Sequence, residues 1–220
     1  LMESIDICLN EQKIGGVVFD VHSHGGSSYG VKEGADYIFK ARSEKPMVAI
    51  SNSVMASAAA YLGMATSRVY ATPSSLTGSI GTAWVHQEES RALTEAGVTT
   101  TVFRSPEFKY EGNDVEPLTP AAGSHMAARC EQLTEMFMSD LARYRGVTKD
   151  TIKTKYGQGR AVSAADALAS GMVDKIATFQ EVCEGMRSGS IARSLAQTSG
   201  RMEGFVDSAV MHNKLALAML

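Results

Sequence analysis

Cysteine and tryptophan are scarce: three cysteines and one tryptophan in 220 residues. Cys8, Cys130 and Cys183 lie far apart and are odd in number. That argues against a disulfide framework and fits a reducing compartment. No CxxC, HExxH or GxxxxGK[ST] pattern occurs, which removes the common zinc and phosphate-loop chemistries. No apolar run reaches membrane-spanning length, so no membrane anchor is expected in this chain. The start, LMESIDICLNEQK, is neither a basic-then-apolar leader nor an Arg-rich transit segment. It reads as a helix already under way, with an upstream strand expected to be missing. Charge is also modest, at 20% charged residues and a net −3. Lys and Arg are dispersed, with no basic stripe interleaved with aromatics, so nucleic acid is not expected as a partner.

What is present is an alternation. GGVVFDV (Gly15–Val21) reads as a buried strand and VKEGADYIFKARSE (Val31–Glu44) as an amphipathic helix. PMVAIS (Pro46–Ser51) reads as a second strand, and a small-residue helix starts near Ser57. RVYATP, GSIGTAWV and VTTTVFR (Val98–Arg104) give further strands, with the helix EESRALTEAG ending at Gly97. A long helix follows Thr119, with Pro120 in its first turn and Gly146 at its end. Met126, Cys130, Leu133, Phe137, Leu141 and Tyr144 line one face of it. TKDTIKTKY and SAADALASGMVDKI give two short helices and a last strand. This order implies an α/β fold with a mostly parallel sheet and flanking helices. A main domain is placed at 1–185. Residues 186–220 are read as a Ser/Gly-rich linker, RSGSIARSLAQTSG, and a helical interaction tail.

The stretch SVMASAAAYLGMA (Ser53–Ala65) holds the chemically interesting group. A strand, a tight turn and a helix beginning near Ser57 can present a hydroxyl beside free backbone N–H groups. Ala58, Ala59 and Ala60 behind it leave room for a substrate backbone. By itself such a serine is more often structural. Three other stretches bear on it. DVHSHGG (Asp20–Gly26) places a glycine pair after the first strand, where exposed N–H groups can hold an oxyanion. PSSLTGSIGT (Pro73–Thr82) is rich in turn formers and can line a cleft. RSPEFKYEGNDVEPLTP carries Lys109, and a lysine neutralised by burial can serve as base for a serine. Phe103, Phe108 and Tyr110 are candidates for desolvating it.

In this order the motifs resemble the signal peptide peptidase A (protease IV) family of Ser/Lys peptidases, and more closely its phage prohead, or capsid-maturation, branch. The family patterns are roughly N/D-S-P-G-G, A-S-G-G-Y or A-S-A-A-Y, T-G-S-I-G and S-G-K-Y/H-K. A later G-R-x-x-x-x-x-A-x-x-x-G-L-V-D segment is matched by GRAVSAADALASGMVDKI. The resemblance runs from about Gly15 to Ile176. It implies a Clp protease/crotonase-like ββα superhelix. It implies Ser57 as nucleophile and Lys109 as general base, with Glu107 at the motif's other lysine position. It implies an oxyanion hole from the N–H groups of Ala58 and Gly26, with Gly25 the other glycine candidate. Ser79 would support the dyad. His24 stands where the family usually has proline.

The same resemblance implies no cofactor and no metal, a homo-oligomer, and peptide or protein substrates, namely capsid or scaffold proteins. The expected setting is the bacterial host cytoplasm, in association with the prohead. Other readings stay open on the residues alone. A Ser-His-Asp arrangement would use His86 with Asp114 or Asp140. His22 and His24 suggest a metal, although they lack a carboxylate or cysteine framework. A signal-peptide-degrading peptidase, a crotonase-type acyl-CoA enzyme and a scaffold protein are the further alternatives.

Overall fold

The computed structural model describes residues 1–199. The helix expected at 202–220 lies outside the described residues. Contacts divide the chain into two units, one of Leu1–Gly81 with the segment from Met136 onward, the other of Thr82–Glu135.

The first unit is built on β2 (Met47–Ala56). Its residues Met47 to Ser51 are all buried, as are Val54 to Ala56. Such a continuous apolar run is what a strand covered on both faces requires. Met47 and Ala49 enter one core with α1 (Met2–Asn10), α2 (Val31–Ala41), α3 (Ala58–Met64) and the end of α5 (Pro120–Arg145). Val48 and Ile50 face the other way, toward α8 (Phe179–Arg187) and α9 (Ser190–Ser199). Asn52 and Ser53 interrupt the burial, and here the pairing with β1 (Val17–Ser23) slips. Before the slip β2 pairs in parallel with β3 (Arg68–Ala71); after it, with β4 (Leu76–Gly78). The sheet therefore curls around the middle of β2. β6 (Lys175–Ile176) extends it in parallel beyond β3, and β5 (Ala161–Ser163) pairs antiparallel with β4. α6 (Lys149–Lys155) and α7 (Ala164–Ala169) are each capped by the hydroxyl before them, Thr148 and Ser163. The mixed α/β architecture with a mostly parallel sheet is as the alternation implied.

The second unit holds α4 (Ser90–Glu95) and the start of α5, and no strand among its described residues. Thr119 accepts the Ala122 N–H at the start of α5, as its sequence position suggested. Two expectations fail here. Val98–Arg104 is not a strand, and GSIGTAWV is not one either, because β4 has already ended at Gly78. A β-branched run forms a strand only with a partner to pair with. After β4, positive φ at Gly78, Ser79 and Gly81 bends the chain out of extension.

The expected linker also differs. The boundary near Gly185 falls inside α8, and most of the Ser/Gly-rich stretch is α9. A Cβ on Gly185 would come within 2.7 Å of Ile191, so α8 and α9 meet closely there. Ile191 and Leu195 are four apart and supply the apolar side of α9 that Ser/Gly counting overlooks.

On the α3 side of the sheet, a charged network joins α2, α3 and α5. Lys32 bonds Asp36 (2.8 Å) and Asp140 (2.9 Å), Arg143 reaches both carboxylates, and Tyr144 donates to Asp36 (2.7 Å). Burial opposes the charge on Asp36, but hydrogen bonds from Lys32, Tyr144 and Arg143 outweigh it and hold the carboxyl at about 2, against an ordinary 3.8. A carboxyl depressed on folding stabilises above its unfolded pKa, and that contribution is lost as pH falls through the folded value. The urea midpoint of the chain is therefore expected to fall as pH is lowered from about 4 to about 2. Asp36→Asn is expected to flatten that part of the profile, measured by circular dichroism.

Candidate functional site

Ser57 is the single residue between β2 and α3. Its backbone lies at φ 52° and ψ −124°, a region side-chain-bearing residues rarely occupy. Such a conformation costs of order 1–3 kcal/mol and persists only where neighbours hold it. Its side chain does not cap α3, so the hydroxyl is not spent on the helix. A strained strand-to-helix turn of this kind lifts a hydroxyl out of the chain path.

Three neighbours hold the turn. The Ser57 N–H donates to the Gly78 carbonyl at the end of β4 (2.9 Å), and its carbonyl accepts from Tyr61 N–H (3.0 Å). The third is Gly25, at φ 104°. A Cβ there would lie 2.6 Å from Ser57 Cβ, 2.9 Å from Ala56 O and 3.0 Å from Ala58 N. Only glycine lets the loop after β1 sit against the serine turn.

The glycine pair divides its work. Gly25 N–H donates to Ser23 Oγ (3.2 Å), which leaves the Gly26 N–H as the uncommitted donor of the pair among the described residues. Ala58 opens α3, and an N–H at the first helical position has no partner within its helix. His22, near the end of β1, and His24, on the loop after it, are both exposed. Among the described residues no group of three or more His, Cys, Asp or Glu gathers as a metal cluster.

The LTGSIG stretch reaches the serine through the Gly78 carbonyl, and Ser79 follows at φ 53° with its N–H on Arg160 O (2.9 Å). Thr77, two residues before it, is fully buried, and its hydroxyl has no hydrogen-bond partner among the described residues.

Two residues of the Ser-His-Asp reading, His86 and Asp140, are otherwise engaged. His86 Nε2 lies 3.1 Å from Asn113 O. Asp140 accepts from Tyr61, Lys32 and Arg143.

Lys109 belongs to the second unit. It is exposed in a turn closed by its own N–H on Pro106 O (3.0 Å). Among the described residues Phe103, Phe108 and Tyr110 do not fold over it: they are 93%, 61% and 57% exposed. Side chains on a short irregular loop have no strand or helix behind them to fold against, so the expected desolvation is not met locally.

Tyr61 closes the ASAAAY stretch, whose pattern alone assigns it no role. The tyrosine ring stacks on Phe137 (centroids 4.2 Å apart, planes 8° apart), and its hydroxyl donates to Asp140. Burial, reinforced by the bond to Asp140, pushes the Tyr61 hydroxyl pKa far up. At the far end of α3, Arg42 donates to the carbonyls of Ala65 (3.1 Å) and Thr66 (2.8 Å). Burial, with Arg145 nearby, lowers that guanidinium to about 10.

Residues 40–192 match the sequence model of peptidase family S49. The head-tail preconnector protein GP5 of Enterobacteria phage P21 is 31% identical over 179 residues, 79% of this chain and 35% of that protein. Capsid assembly protease C of Escherichia phage lambda is 27% identical over 193 residues, 88% of this chain and 44% of that protein. Protease 4 of Salmonella typhi is 28% identical over 173 residues, 78% of this chain and 28% of that protein. The chain thus spans less than half the length of each of these relatives. Among the described residues no helix is long and apolar enough to cross a membrane.

The contact between Gly25 and the serine turn can be tested directly. Gly25→Ala is expected to slow labelling of Ser57 by a fluorophosphonate about 100-fold, since small misplacements at a reacting group cost that much. Gly30→Ala is the control. Gly30 also has positive φ (76°), but nothing lies within 4 Å of its added Cβ. It is expected to label at close to the wild-type rate, and equal rates in the two variants would show the contact to be irrelevant.

Proposed function

Because the chain belongs to peptidase family S49, we propose that it is a serine endopeptidase using a Ser57/Lys109 dyad, and that it cleaves capsid or scaffold proteins during phage prohead maturation. The observation that carries this is the backbone of Ser57, held at positive φ with the Gly25–Gly26 loop seated against it. The names of the two phage relatives support the capsid context. Family membership also sets aside the acyl-CoA reading, which has no need of a strained serine. The curled, mostly parallel sheet supports a Clp/crotonase-like superhelix as the finer fold.

In the proposed reaction the neutral Lys109 amine takes the Ser57 hydroxyl proton as Oγ attacks the scissile carbonyl. The tetrahedral oxyanion is held by Ala58 N–H and Gly26 N–H, each such donor being worth about 3 kcal/mol in the transition state. Lys109 then passes the proton to the leaving amine, and water hydrolyses the acyl-enzyme. Ser79, next to Gly78, is the supporting hydroxyl. The alanines after Ser57 favour a small side chain before the cleaved bond.

A base must be neutral when it accepts a proton, and burial favours the neutral amine. Lys109 is exposed beside Phe108 and Tyr110. Large apolar side chains left open in this way are typical of contact surfaces. A homo-oligomer in which a second copy covers them would desolvate the lysine. Residues 186–220 are proposed to serve assembly contacts rather than chemistry.

Incubation with phage capsid and scaffold proteins tests the whole reading. The wild-type chain is expected to cleave at least one of them, and Ser57→Ala and Lys109→Ala each to lose cleavage by at least 1000-fold, on the order seen for dyad and triad members. A mixture of the two inactive chains recovers activity only if the dyad is shared between protomers. Intact substrates with the wild type would sink the maturation role.

A further inference from the structure

Ser57 is gripped on its carbonyl side by Tyr61, and Tyr61 is itself gripped by α5. Its N–H donates to Ser57 O (3.0 Å). Its ring is stacked on Phe137 and its hydroxyl donates to Asp140. Asp140 is 8% exposed and is held in turn by Lys32 Nζ (2.9 Å) and Arg143 (3.0 Å). The other residues of α3 are Ala58, Ala59, Ala60, Leu62, Gly63 and Met64. None of them carries a polar side-chain group. Apolar packing alone leaves a seven-residue helix free to turn slightly about its axis or slide along it. Arg42 and Thr66 fix carbonyls at the far end of α3; at the Ser57 end the directional side-chain bond is that of Tyr61, the residue whose N–H holds the Ser57 carbonyl.

We infer that Asp140, acting through Tyr61, is a positioning residue for Ser57. The pair sets the rotation of α3 and so the direction of the Ser57 hydroxyl. This rests on the reading of Ser57 as nucleophile. Neither residue touches the reacting atoms in this scheme. Their removal misaims a group that remains chemically intact, so the loss falls on turnover and not on substrate binding.

The test measures kcat and KM for a peptide substrate, and the rate at which Ser57 displaces fluoride from a fluorophosphonate, below the melting temperature of every variant. Tyr61→Phe is expected to lower kcat and the labelling rate about tenfold to 100-fold with KM within about twofold. Asp140→Leu removes the acceptor and is expected to do the same. Asp140→Asn keeps an oxygen that accepts from the tyrosine and is expected to stay within about threefold of wild type. The double variant Tyr61→Phe/Asp140→Leu is expected to lose no more than either single change, because both remove one interaction.

A purely structural role would give a different pattern. It would lower the melting temperature in all three single variants without moving kcat in the folded enzyme, and that result overturns the inference. Should Tyr61→Phe not fold, the pair Asp140→Asn and Asp140→Leu decides, and equal labelling rates in the two overturn it. Ser57→Ala is run alongside. Cleavage that survives Ser57→Ala overturns the nucleophile reading itself. Cleavage abolished by Ser57→Ala but unchanged by Tyr61→Phe overturns the positioning role alone.

Discussion

The positive-φ backbone of Ser57 is a conformation that an isolated chain would rarely adopt. Around it the first unit places one restraint on each side. β2 slips in register at Asn52–Ser53, exchanges β3 for β4, and so brings the Gly78 carbonyl to the serine N–H. The loop after β1 presses Gly25 against the serine Cβ. α3 returns the Tyr61 N–H to the serine carbonyl. The curl of the sheet, the glycine loop and the buried helix are three parts of one clamp, and each would lose its purpose without the others.

The two units differ in how firmly they are built. In the first, both faces of β2 are buried and a six-membered polar network ties α2, α3 and α5. In the second, Ala122 and Asn113 are the buried residues among those described, while Trp84, Val85, Phe103 and Phe108 are open to solvent. A segment with so little buried apolar area does not offset its own ordering entropy well. The proposed base sits on the weakly packed unit and the proposed nucleophile on the firmly packed one. The turn that carries Ser57 is already formed within one chain.

Much of this architecture was readable from spacing. The apolar runs before and after the glycine pair, the three-and-four repeat ending in Phe137, Leu141 and Tyr144, and the Thr119–Pro120 start of α5 all sit where periodicity put them. The failures share a cause. Val98–Arg104 has strand composition but no partner strand. The stretch after Arg187 has linker composition but finds α8 to pack on. Composition describes what a segment tolerates, and neighbours decide what it becomes. The division of labour in the glycine pair is of the same kind. That Gly25 is a seat and Gly26 the open donor follows from where Ser23 Oγ and Ser57 Cβ lie in space.

Hydrophobic period, caps and turn residues are local properties, and they sufficed for most elements of the first unit and for the short list of reactive groups. It put Ser57 at the mouth of a helix and offered Gly25, Gly26, Ser79 and Lys109 as company. The strain at Ser57, the contact that demands glycine at position 25, and the coupling of Tyr61 to Asp140 arise only in the folded chain. These are set by contacts between residues distant in the chain, such as Ser57 with Gly78 and Tyr61 with Asp140. Such contacts exist only once the sheet has curled and the helices have packed against it, and no local pattern encodes them.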